Sequence, residues 1–181
     1  MDAFQLSRNL LDGSLRIERV PFEHRTSLLH GANLYRSAFR NLRRDGFNDA
    51  YYAALLLLEA DWTRLPDSNP MKLILKGMHW EFREDLQRGI ECDILGGKID
   101  ARDIPFAIRT SEICGRVVYI YTFRIRQYDK DSAQYQEILD LLKGDVERMP
   151  HGEGRYSLMD IHETREAFMS SSTMGWNRVE N

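Results

Sequence analysis

The sequence predicts an α+β fold, in which N-terminal helices pack on a small antiparallel β-sheet of about four strands and C-terminal helices follow. Apolar residues recur at helical spacing as far as Gly89 and alternate with polar residues after it. Two adjacent glycines, Gly96 and Gly97, can take the positive φ angles of a tight hairpin turn. Helical spacing returns after about residue 130, and this segregation of helices and strands is typical of α+β domains.

The N-terminal part begins with a short alternating segment and then turns helical. Residues 14–22 alternate apolar and charged side chains up to Pro21, which predicts an edge strand. Residues 24–44 carry an apolar stripe at spacings of three and four, which predicts an amphipathic helix that stops before Gly46.

Two more helices are expected before Gly89. Residues 51–60 are apolar on nearly every side of a helix that Asn48 or Asp49 can cap, so this helix should be buried. Pro70 suits the first position of a third helix, which Gly89 is expected to end.

The predicted sheet occupies the region after Gly89. Residues 90–95 and 98–104 would form a hairpin, residues 106–110 a third strand, and residues 116–128 a fourth, written RVVYIYTFRIRQY. In the fourth strand, strict alternation would place Val118, Ile120, Thr122, Arg124 and Arg126 on one face.

The C-terminal part is expected to be helical as far as residue 169. A helix should follow a cap at Asp131 or Ser132, and a shorter one should cover residues 157–169. Residues 1–169 would then form a single domain, and the polar residues 170–181 a mobile tail. No internal repeat and no low-complexity segment is evident in the sequence.

The composition is that of a soluble globular protein of 181 residues, with 43% hydrophobic and 29% charged residues. The longest apolar run is far too short to span a membrane, and the N-terminus lacks the pattern of a secretory signal, so we expect a cytoplasmic location. The two cysteines, Cys92 and Cys114, are expected to be reduced. The net charge of −3 argues against a protein that is basic all over.

Arginines gather on the first amphipathic helix. At 100° per residue, Arg36, Arg40 and Arg43 share a sector of about 60° with Arg25, and Arg44 lies just beyond this sector. No acidic residue occurs between Arg25 and Asp45. Such a ridge can pair with an acidic protein surface or neutralise nucleic-acid phosphates, and a solvated helix flank is the alternative interpretation.

A second group of basic residues is expected at one end of the sheet. Arg124 and Arg126 would share a face with Arg109 of the neighbouring strand, and Tyr128 would lie close by. Guanidinium groups and a tyrosine ring in this arrangement could bind a phosphate and stack a base.

Residues 90–146 resemble RelE/HigB-type ribonuclease toxins, through Phe106-Ala-Ile-Arg109, through Thr122-Phe-Arg-Ile-Arg126 and through the helix that follows. This resemblance implies an antiparallel sheet and RNA cleavage without a metal, with Arg109, Arg124 and Arg126 stabilising the phosphate and Tyr128 assisting. The spacing of Arg25 and His30 also resembles the motif of HEPN-family ribonucleases, which are all-helical.

No complete catalytic, metal-binding or cofactor-binding motif occurs in the sequence. We therefore expect no cofactor and favour a non-enzymatic interaction or regulatory protein. It would bind an acidic protein surface or an RNA or DNA backbone through the two groups of arginines, without contact to a membrane. Homo-oligomerisation through exposed aromatic residues is compatible with this interpretation, and the toxin-like ribonuclease is its alternative.

Overall fold

The computed structural model describes residues 2–43, 49–126 and 133–173, with the backbone alone for residues 171–173. Within these ranges the chain forms nine α-helices and two single turns of 3₁₀-helix, and no β-strand. The helices are α1 (Ala3–Asp12), α2 (Phe22–Arg25), α3 (Gly31–Leu42), α4 (Asp49–Arg64), α5 (Pro70–Leu95), α6 (Phe106–Arg109), α7 (Gly115–Arg126), α8 (Ala133–Arg148) and α9 (Glu153–Thr173). The 3₁₀ turns are Ile17–Arg19 and Ala101–Asp103.

The predicted antiparallel sheet, and with it the α+β fold class, is wrong. The segment that was expected to be the fourth strand forms α7, and its buried residues are Gly115, Val118, Tyr119, Thr122 and Phe123. This spacing of three and four is the period of a helix. The β-branched and aromatic residues of the segment favour a strand locally, but tertiary packing outweighs such local preferences.

The paired glycines end a helix and do not turn a hairpin. α5 continues through Gly89 to Leu95. Gly97 then takes a φ of +68°, and the amide of Lys98 donates to the carbonyl of Asp93 at 2.9 Å, as in a helix C-terminal cap. The expectation that Gly89 ends the third helix is therefore also wrong.

Other predicted elements agree with the structure in part. α4, the start of α5 at Pro70, α8 and the position of α9 confirm the helices expected there. The expected edge strand is instead a 3₁₀ turn with flanking loops, and the expected helix over residues 24–44 is broken between α2 and α3. The sequence reading missed α1.

Internal contacts divide the chain into two compact units, Met1–Gly89 and Ile90–Asn181. In the first unit α3 packs on α1 and α4, and the ring of Phe39 stacks on Phe82 with a centroid distance of 4.0 Å. In the second unit α7, α8 and α9 pack together around Phe123 and Tyr135, whose ring centroids lie 5.1 Å apart. The single domain over residues 1–169 stays a prediction. α9 ends at Thr173, and residues 174–181 of the expected tail lie outside the described residues.

Most of each unit is a copy of one helical repeat, which covers residues 3–66 and 87–150, so the expectation of no internal repeat is wrong. Among residues 3–66, 19 are identical to the residue 84 positions later. The repeat pairs α1 with the end of α5, α2 with α6, α3 with α7, and α4 with α8. Identical residues at equivalent positions include Gly13 and Gly97, Pro21 and Pro105, Arg25 and Arg109, Tyr35 and Tyr119, Phe39 and Phe123, and Asp61 and Asp145.

The connection between the short and long helices has the same close packing in both copies. A Cβ atom at Gly31 would lie 2.3 Å from the carbonyl oxygen of Arg25, and one at Gly115 would lie 3.1 Å from that of Arg109. The approach at Gly31 excludes any residue with a Cβ atom, and the approach at Gly115 is tighter than most Cβ contacts. The last residue of each short helix is thereby held against the start of the next helix.

No helix in the described parts of the chain combines the length and the apolar character needed to cross a membrane.

Candidate functional site

A buried arginine, aspartate and tyrosine form a cluster in the first unit. Arg25, at the end of α2, donates from Nε and Nη2 to the two carboxylate oxygens of Asp61 in α4, at 2.6 and 2.8 Å. Its remaining nitrogen, Nη1, donates to the carbonyl of Val20. Tyr35 of α3 donates its hydroxyl to Asp61 at 2.5 Å. One carboxylate therefore joins three helices.

The second unit contains the same cluster at equivalent positions. Arg109 donates to both carboxylate oxygens of Asp145, at 2.6 and 2.9 Å, and to the carbonyl of Ile104 at 2.8 Å. Tyr119 donates its hydroxyl to Asp145. Arg109 was predicted to contact a ligand, but its guanidinium group is engaged inside the fold.

The electrostatics of both clusters favour this bonding pattern. Burial, and then the hydrogen bond to the carboxylate, raise the pKa of Tyr35 and of Tyr119 well above the usual value for tyrosine, so both hydroxyls stay protonated and donate. Hydrogen bonding to the carboxylate raises the pKa of each arginine. Each buried arginine is therefore paired with its aspartate inside the unit and leaves no free charge for a ligand.

Arg25 was expected both in the arginine ridge and in the HEPN-like spacing, and its place in the buried cluster fits neither expectation. Arg25 lies on α2 and is buried, so it is not part of the predicted ridge on α3. The arginine of the HEPN-like spacing is also occupied by Asp61 and Val20, so it is not available to bind a phosphate.

The arginine ridge, defined here as Arg36, Arg40 and Arg43, lies along the solvent-exposed side of α3. The three residues follow at spacings of four and three, which places them on one face of a helix. Tyr35 and Phe39 lie beside the ridge on the helix, about 100° from Arg36 and Arg40, respectively, and are buried. The ridge is thus presented by a helix that the core holds in place.

The charges along the ridge are largely unpaired among the described residues. Arg43 approaches Asp85 of α5 at 3.2 Å, but its side chain is 70% exposed, and such a surface pair contributes little. Arg36 and Arg40 make no ion pair within the described ranges, and α3 contains no acidic residue. Arg44, the fourth predicted member, lies outside the described residues.

The predicted group at the sheet end does not form one face. Arg124 and Arg126 both belong to α7, where residues two positions apart point about 200° away from each other. Arg124 is exposed and lies over the ring of Tyr121, with 5.8 Å from the guanidinium carbon to the ring centroid. Tyr128 lies outside the described residues. Because the described residues contain no sheet, the resemblance to RelE/HigB-type toxins loses its structural basis.

Arg126 takes part in a polar network of the second unit. It donates to Gln134 at 2.7 Å and to Asp100, and Arg102 binds Asp100 at 3.1 Å and Glu137 at 2.8 Å. Burial acts to raise the pKa of Asp100, but hydrogen bonds from the backbone of Arg102 and from Arg126 outweigh it and hold this pKa below its usual value. Arg126 is therefore engaged within the fold.

The equivalent positions in the first unit carry Arg16, Leu42 and Ala50 in place of Asp100, Arg126 and Gln134. Leu42 and Ala50 cannot replace the guanidinium group of Arg126 and the amide of Gln134, and with Arg16 they line an open cleft of about 860 Å³. The surfaces of the two copies have diverged, while their buried clusters have not.

The buried clusters are the feature that the sequence reading missed. Their signal is a pattern that occurs twice in the sequence, once from Arg25 and once from Arg109. In each case Arg-Thr-Ser is followed by a glycine, a tyrosine and a phenylalanine that are four residues apart. Alignment of the sequence with itself at a shift of 84 residues would have found it. Comparison of the chain with protein-family models, with curated proteins and with solved structures gives no match.

Proposed function

We propose that the chain is a non-enzymatic binding protein whose arginine ridge docks on an acidic surface of another protein. The observation that carries this proposal is the exposed, acid-free face of α3, which carries Arg36 and Arg40 and continues into Arg43 directly after the helix. Guanidinium groups pair with carboxylates through two parallel hydrogen bonds, so a row of them suits an acidic partner.

The framework beneath the ridge supports a binding role. Tyr35 and Phe39 precede Arg36 and Arg40 directly in the chain, and both are buried. A binding surface on a rigid element loses less entropy when it meets its partner. The equivalent helix α7 keeps the buried tyrosine and phenylalanine but has Ile120 in place of Arg36, so the full ridge belongs to the first unit.

We favour a protein partner over RNA or DNA because the chain carries a net charge of −3. Outside the ridge this charge would repel an extended polyanion, whereas a protein can offer a local acidic patch that matches the ridge. We also propose that the chain works in the cytoplasm, as the sequence leads us to expect.

The test compares two variants with the same change in charge. A tagged chain with Arg36→Glu, Arg40→Glu and Arg43→Glu should lose its co-purifying protein partner, as measured by quantitative mass spectrometry. A control with Arg16→Glu, Arg19→Glu and Lys143→Glu changes three other exposed residues and should retain the partner. Binding by the wild-type chain should weaken as the salt concentration rises.

Equal loss of the partner in both variants, or no loss in the ridge variant, would show that the ridge is not the binding surface. Strong absorbance at 260 nm in the purified complex would identify a nucleic acid as the partner. If the isolated wild-type chain has a mass above that of a monomer in solution, and the ridge substitutions restore the monomer mass, the partner is a second copy of the chain.

A further inference from the structure

Two imidazole rings face each other at the surface of the first unit. Nδ1 of His24, in α2, lies 3.4 Å from Nε2 of His30, which directly precedes α3. The ring centroids are 5.6 Å apart. Oγ of Ser27 lies 3.3 Å from Nδ1 of His30, the nitrogen on the far side of that ring.

The separation of the two nitrogens is long for a hydrogen bond and matches the spacing of two histidine ligands on one tetrahedral metal ion. Hydrogen bonds that an N–H group donates to an oxygen atom usually measure about 2.7–3.2 Å. Two histidine nitrogens that bind one tetrahedral Zn²⁺ at about 2.0–2.1 Å stand about 3.3–3.4 Å apart. The contact between His24 and His30 has this second spacing.

Ser27 occupies the place of an orienting partner. Histidines that bind a metal commonly donate their other ring N–H to a nearby acceptor, which fixes the tautomer and the direction of the ring. With Oγ of Ser27 accepting from Nδ1, the lone pair of His30 Nε2 points toward His24. The amide of Leu29 also donates to this hydroxyl, at 3.3 Å, and helps to hold it in position.

The backbone beneath both histidines is held by the buried framework. His24 directly precedes Arg25, whose guanidinium group is bound to Asp61, and His30 directly precedes Gly31. Gly31 packs against the carbonyl of Arg25. A pair of ligands that is fixed in advance binds a metal without the cost of ordering it.

The second unit shows that the framework does not itself require these histidines. The equivalent residues are Ile108 and Cys114, 3% and 0% exposed, respectively. In the first unit the same two positions hold an exposed and a half-buried imidazole. The pair of histidines is therefore an addition to one copy of a shared scaffold.

We propose that His24 and His30 together chelate a Zn²⁺ ion at the surface of the first unit. No third histidine, cysteine, aspartate or glutamate among the described residues gathers with them. The remaining coordination positions are therefore open to water or to a donor from a bound molecule. The site uses no residue of the arginine ridge, so it stands or falls separately from the proposed function.

The test titrates Zn²⁺ into the full chain, purified without a histidine tag and stripped with a chelator. Isothermal titration calorimetry should show one Zn²⁺ bound per chain. His24→Ala and His30→Ala should each weaken binding at least about tenfold, because one imidazole alone forms no chelate. Ser27→Ala should cause a smaller loss, since it removes the orienting contact and no ligand.

His151→Ala and His162→Ala serve as matched controls and should bind Zn²⁺ like the wild type. Thermal unfolding provides a second readout: Zn²⁺ should raise the Tm of the wild type and of both controls, but not that of the His24 and His30 variants. His24→Gln and His30→Gln replace the alanine variants if those fold poorly, as judged by circular dichroism. Unchanged binding in the His24 and His30 variants, or equal weakening in the controls, would mean an adventitious ion only and would overturn the proposal.

Discussion

Arg25 and Arg36 lie 11 positions apart and occupy opposite environments. Arg25 is buried against Asp61, while Arg36 stands in solvent. A helical wheel places both in one sector, because it assumes that the helix runs unbroken between them. The chain breaks that helix between α2 and α3, so the wheel fails for Arg25 and holds for Arg36, Arg40 and Arg43. The helical wheel alone is enough to find the exposed ridge, whereas the buried pairing shows in the sequence only through the repeat.

Arg25→Met should destabilise the protein by about 3–5 kcal/mol, because it leaves the carboxylate of Asp61 buried without its counterion. Urea unfolding followed by circular dichroism would measure the loss. The triple variant Arg25→Met, Asp61→Leu and Tyr35→Phe removes every polar member of the cluster and should regain most of the lost stability. If it does not, the cost of Arg25→Met comes from lost packing and not from the unpaired charge.

Apolar spacing predicts the middle of a helix better than its ends. Helices whose apolar spacing was clear, such as α4 and α8, were placed correctly. The roles expected of three glycines are wrong. Gly89 lies inside α5, and Gly96 and Gly97 follow the end of that helix and do not form a hairpin turn. Glycine is compatible with each of these roles, and only the contacts of the whole chain select one.

The different roles of two glycines give a matched pair of substitutions. Gly89→Ala should stabilise the protein by about 0.5–1 kcal/mol, because a Cβ there meets no atom within 4 Å and alanine favours a helix interior. Gly97→Ala should destabilise it by about 1–2 kcal/mol, although its Cβ also has free space, because alanine disfavours a φ of +68°. Denaturant unfolding of both variants would measure the two changes, and changes of equal sign would contradict the assignment.

The α+β expectation is wrong because residues of α6 and α7 favour strands locally and the glycine pair after α5 also suits a hairpin turn. The helical period was present there, in the four-residue spacing of Gly115, Tyr119 and Phe123. The first unit carries the same spacing at Gly31, Tyr35 and Phe39, in a segment that was recognised as helical. Recognition of the repeat would have carried the correct assignment from one half of the chain to the other.

We predict that the two units unfold together, as the single-domain expectation requires. α5 supplies core residues on both sides of the boundary, such as Leu86 before it and Ile90 after it, so its loss disrupts both units. In a Trp176→Phe background, fluorescence reports Trp62 and Trp80 of the first unit, while circular dichroism reports all helices. The two unfolding curves should coincide in urea. Separate midpoints would indicate two independently folding domains.

The two copies of the repeat can also be aligned with each other and compared residue by residue. A residue that is the same in both copies, such as Asp61 and Asp145, has a role in the framework that both copies share. A residue that differs, such as His24 against Ile108, is one that the scaffold leaves free to vary. A substitution in one copy can therefore be compared with the same substitution at the equivalent position of the other copy, which serves as its internal control.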